Sequence, residues 1–246
     1  MSRTASAASL LGAVLVAWIV AVQWMRGMDA GPGTDLGALG WYVGIWVTMV
    51  AAMMLPSAMP AVLAFARVRG DARTWMFVLG YLLAWTGYGL AAYAVYRGIR
   101  ASAPSFLAWD DRGPWVAGGA LVAAGLYEVT ALKAACLHHC RSPLHFMLRS
   151  RPGALGAVRT GIGHGAYCVG CCAGLMVALF AVGVMSLFWM AVAAAAILVE
   201  KTLPGGAAFA RLLALALVVL GIWVAVSPAS VPGLRQPAPM QMRMER

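Results

Sequence analysis

The chain's soft-metal chemistry lies in five cysteines and four histidines, and all nine fall between residues 136 and 172: Cys136, His138, His139, Cys140, His145, His164, Cys168, Cys171 and Cys172. That window is 37 of 246 residues, so the clustering points to one site. Thiolate and thioether ligands select Cu(I), and zinc takes Cys and His tetrahedrally. A helix through Cys136, His139 and Cys140 puts them at i, i+3 and i+4 on one face, and a second helix puts His164, Cys168, Cys171 and Cys172 at i, i+4, i+7 and i+8. Two such stripes facing each other would hold copper first and zinc second. For any single cysteine the plain alternative is packing, because its side chain is small and weakly polar. Cys168 and Cys171 also have the C-x-x-C spacing of a redox dithiol, for which Cys136 or Cys140 would be the exchange partner. His138, His139 and His164 could serve a haem, which is the least favoured cofactor.

Two further groups belong to the same chemistry. Met49 and Met53 share a helical face just before Pro56 and Pro60, where thioether sulfur could add soft ligands; Met also fills irregular cores, and the chain has 15. Two prolines within five residues predict a kink. Glu128, Lys133, Glu200 and Lys201 are ionisable side chains in or near apolar runs, where such residues pair or carry protons. On one continuous helix Glu128 and Lys133, five apart, are poorly placed for each other, which leaves Glu128 as a ligand, a proton carrier or the partner of Lys201. Glu200 and Lys201, at the end of a run, are expected to snorkel to an interface.

The elements that must position these residues follow from composition. Hydrophobic residues make up 63% of the chain and charged residues 11%, with a mean hydropathy of +0.83, whereas soluble domains carry roughly 25% charged residues. The class is therefore all-α, a polytopic transmembrane helix bundle of about seven spans. Apolar runs of spanning length fall at 7–25, 39–65, 74–97, 114–140, 161–183, 185–200 and 207–226. The fifth and sixth are nearly continuous and are divided at Gly183–Ser186, and Pro143 is expected to stop the helix that carries Cys140. Residues 1–38 form an N-terminal span and loop, 39–226 the helical core, and 227–246 a disordered tail.

The net charge of +10 would suggest nucleic acid in a soluble protein, but here the basic residues fall in short loops, so the expected partner is the lipid bilayer. Eleven Lys and Arg on one side against seven on the other place the N-terminus in the cytoplasm of a multi-pass inner-membrane protein. The Cys/His window then lies at the cytoplasmic ends of the fourth and fifth spans, where free thiols are expected.

Four ordered motifs carry a resemblance across about residues 40–222. They are Trp46-x-x-Met49-x-x-Ala52-Met53-Met54-x-Pro56-Ser57-x-x-Pro60; Tyr127-Glu128-x-Thr130-x-Leu132-Lys133-x-x-Cys136-Leu137-x-x-Cys140-Arg141-x-Pro143; Gly165-x-x-Cys168-x-Gly170-Cys171-Cys172 with Leu175-Met176; and Glu200-Lys201-x-x-Pro204. The chain resembles the bacterial family catalogued as domain of unknown function 2182, described as predicted metal-binding integral membrane proteins. The resemblance implies metal binding and supplies no reaction; Ala173 stands where relatives are expected to carry Trp. The function expected is binding of a soft metal for relay or transport, with a metal chaperone or metalloprotein as partner. Catalysis is not favoured. The alternatives are a membrane thiol–disulfide oxidoreductase and a non-catalytic assembly subunit.

Overall fold

The computed structural model describes residues 3–26, 35–102, 112–142, 152–231 and 234, and among these every regular element is helical. Eight α-helices run in chain order: α1 Arg3–Met25, α2 Leu39–Arg69, α3 Asp71–Ser102, α4 Gly113–Glu128, α5 Ala131–Arg141, α6 Ala154–Val182, α7 Leu187–Thr202 and α8 Gly206–Val226. Each expected apolar run coincides with helix, the fourth with a break inside it. Five helices, α1, α2, α3, α6 and α8, are long and apolar enough to cross a membrane. The expected fourth span is two helices, α4 and α5, bent by 63°. The 16 residues of α7 rise only about 24 Å, short of a straight crossing. Pro143, His145 and the tail from 235 onward lie outside the described residues.

The bend between α4 and α5 has a local cause. Thr130 adopts an extended conformation, its hydroxyl accepts from the Lys133 amide at 3.3 Å, and it donates to the Tyr127 carbonyl at 2.8 Å. Such an N-cap satisfies a free amide of the new helix and competes with continuation of the old one. The break at Gly183–Ser186 is where the sequence places it. Gly183 has φ +113°, a conformation that favours glycine, and the Ser186 hydroxyl caps α7 by accepting from the Trp189 amide at 3.5 Å.

Glycine sets how closely the helices pack. A Cβ on Gly161 would overlap the Phe77 carbonyl, and one on Gly80 the Val158 carbonyl, so α3 and α6 meet backbone to backbone. Gly118 and Gly221 do the same for α4 and α8. α2 remains helical through Pro56 and Pro60. It is pinned to α3 by the Trp46 indole donating to the Trp85 carbonyl at 2.9 Å and the Tyr42 hydroxyl donating to the Gly89 carbonyl at 3.0 Å. These contacts fix α3 and α6 as a rigid pair, against which α2, α5 and α7 bring the polar side chains described next.

Candidate metal centre

Cys168, Cys171 and Cys172 lie on α6 at i, i+3 and i+4 and have no exposed surface. α5 approaches this face and inserts Cys140, which is half-buried. The sulfurs of Cys140, Cys168 and Cys171 all lie within 4.8 Å of one another, with Cys140 and Cys171 3.6 Å apart. Three sulfurs around one metal at bonds of about 2.3 Å would stand roughly 4.0 Å apart, so this set needs only small adjustments to close on an ion. Cys172 Sγ is 3.5 Å from Cys171 Sγ and supplies a fourth sulfur beside the trio.

Cys168 has the most polar surroundings. Lys201 Nζ donates to its sulfur at 2.9 Å, and the Tyr81 hydroxyl also lies 2.9 Å from it. Lys201 also reaches Ser57 Oγ at 3.4 Å, so α2, α3, α6 and α7 meet around this sulfur. A sulfur ringed by an ammonium and a hydroxyl is suited to carry negative charge, the form in which cysteine binds metal. Tyr81 carries no motif signal in the sequence, and Ser57 stands in the first motif with no role assigned to it. The available clue is general: a tyrosine hydroxyl buried among apolar helices needs a polar partner.

The remaining predicted residues are placed as follows. Cys136 is half-buried with its sulfur packed over Gly170, where an added Cβ would stand 2.6 Å from it. The His139 ring stacks on Tyr167 with centroids 4.6 Å apart, and its Nδ1 lies 2.8 Å from the Ala135 carbonyl oxygen. His164 is buried one turn before Cys168, its ring against those of Phe77 and Tyr81. Met49 and Met53 are buried in the core on α2.

A second polar cluster lies two turns earlier along α5. Lys133 forms ion pairs with both Glu128 at the end of α4 and Glu200 at the end of α7, and all three side chains are buried. This corrects two expectations. The bend at Val129–Thr130 folds α5 back toward Glu128, so a five-residue separation that fails on a straight helix becomes an ion pair. Glu200 is buried with Lys133 instead of snorkelling, and its neighbour Lys201 points to Cys168. Beside this triad is a cavity of about 520 Å³, which Arg141 and Arg211 also line.

Described residues that are helical throughout their regular elements, with sulfurs from two helices converging and a cation already aimed at one of them, have the makings of a metal-binding protein that favours soft ions. Residues 43–224 match the family described as PpoB2, copper chaperone, and the chain belongs to that family. No curated protein and no solved structure matches it. The family match and the sulfur cluster together support metal binding, with copper as the ion.

Proposed function

We propose that the protein is an integral-membrane copper chaperone that holds Cu(I) on Cys140, Cys168 and Cys171 and relays it to another protein. The observation that carries this reading is the convergence of three sulfurs from two helices beside Lys201. Three thiolates around a monovalent ion leave an excess of negative charge, and Lys201 offsets part of it. A set of three sulfurs favours Cu(I) over zinc, which usually takes four protein ligands in a structural site; Cys172 would be that fourth ligand if zinc were bound. Cys136, His139 and His164 are reserve ligands on the approaches to the cluster. Met49 and Met53 remain candidates for a path through α2.

The proposed setting is an inner membrane, with the N-terminus in the cytoplasm and the cluster in the cytoplasmic half of the bundle. The five long apolar helices support it, together with the basic bias of the segments between them. Relay is favoured over transport because the buried charged side chains among the described residues, Glu128, Lys133 and Glu200, all gather on the elements that carry the sulfur cluster's neighbours and trace no path across the bundle.

Metal analysis of detergent-purified protein prepared without oxygen tests this. About one copper per chain is expected in the wild type, and loss of it in a Cys168→Ala/Cys171→Ala/Cys172→Ala variant. A wild type that stays metal-free when offered Cu(I) and Zn(II) overturns the reading. The 3.6 Å approach of Cys140 to Cys171 supports one alternative, a thiol–disulfide oxidoreductase, which predicts a reversible disulfide and no bound metal.

A further inference from the structure

The sulfurs of the cluster differ in how they can be reached. Cys168, Cys171 and Cys172 have no exposed surface and sit in the middle of α6, which is locked against α3 by glycine contacts. Cys140 is half-buried and comes from α5, a helix of 11 residues whose buried residues are Lys133 and Leu137. α5 is set at 63° to α4 and held at its far end by the Arg141 guanidinium donating to the Leu203 carbonyl. One sulfur therefore lies on a short, largely exposed arm, and the others lie in the rigid core.

Cu(I) passes between soft-donor carriers by ligand exchange: an incoming sulfur bonds to the metal as an outgoing one leaves. Cys168, Cys171 and Cys172 have no exposed surface, and the Cys140 sulfur stands 3.6 Å from Cys171, so an incoming donor meets Cys140 on α5 before it meets the others. We infer that Cys140 is the exchange ligand, the sulfur that leaves the metal first on delivery and captures it first on loading, while Cys168 and Cys171 retain it. In the step the incoming thiol forms a Cu–S bond and gives up its proton. The Cu–S bond to Cys140 breaks, and Cys140 takes that proton. Copper stays Cu(I), and no electron moves. The partner must present a thiol that reaches the seam between α5 and α6 beside Cys136 and His139.

This inference rests on the copper reading, and the test separates the two. Full-length protein in detergent is loaded with Cu(I), and transfer to bathocuproine disulfonate is timed at increasing glutathione concentration. In the wild type the rate should rise with glutathione. Cys140→Ser should keep its copper on Cys168, Cys171 and Cys172 but release it about tenfold more slowly, equal to about 1.4 kcal/mol of barrier. Cys140→Met, which restores a soft donor, should recover most of the rate. Release from Cys140→Ser as fast as or faster than wild type, loss of its copper outright, or a wild-type rate independent of glutathione would each overturn the assignment. A wild type that never loads copper would instead refute the proposed function.

Discussion

The protein buries two polar clusters side by side, and the same two helices, α5 and α7, contribute to both in opposite ways. α5 contributes Lys133 to one and Cys140 to the other, two turns apart, and α7 contributes the adjacent residues Glu200 and Lys201. In the Glu128–Lys133–Glu200 triad hard charges of opposite sign meet each other. In the thiol cluster several soft donors face one another around a single cation. The triad is built to hold helices together, whereas the sulfurs repel once ionised and gain most from an added metal ion. Burial of polar groups alone does not mark a functional site; what distinguishes this one is donors that lack enough acceptors among themselves.

The contrast can be tested from both sides. Lys133→Met leaves two carboxylates buried together without their cation, and breaking such a buried pair costs about 3–5 kcal/mol. The detergent-solubilised variant should show a large fall in melting temperature, and an unchanged melting curve would break the contrast. Lys201→Met removes a charge-assisted hydrogen bond worth about 1.5–3 kcal/mol. It should weaken Cu(I) retention against a competing chelator by roughly tenfold to a hundredfold, while the melting temperature falls less than for Lys133→Met. Cys171→Ala should cost only about 1 kcal/mol of stability yet abolish copper binding in metal analysis. His139→Ala should stay within about 0.5 kcal/mol of wild type with its copper intact. Loss of copper in that variant would extend the site outward along α5.

Much of the scaffold is legible in the sequence because its signals are local. Apolar runs mark each helix, and Gly183 with Ser186 marks the turn before α7. The C-x-x-C-C stripe on α6 follows from helical spacing alone. The break after Glu128 is hidden because Thr130 sits within a pattern whose apolar periodicity continues across it, and only the capping geometry ends the helix. That hidden bend also conceals the Glu128–Lys133 pair. The contact of Tyr81 with Cys168 joins residues 87 apart on different helices, and no pattern in one sequence reports such a crossing. His164 shares the cysteine stripe by spacing, but the aromatic rings of α3 that surround it could not be foreseen.

The placement of Glu200 and Lys201 on consecutive positions of α7 limits which length changes the gene can accept. Each residue added to or removed from a helix turns everything beyond it by about 100° and shifts it by about 1.5 Å. A single insertion between the Ser186 cap and Glu200 would therefore swing the carboxylate off Lys133 and the ammonium off Cys168 together, so α7 should tolerate point substitutions on its outer face far better than any insertion or deletion.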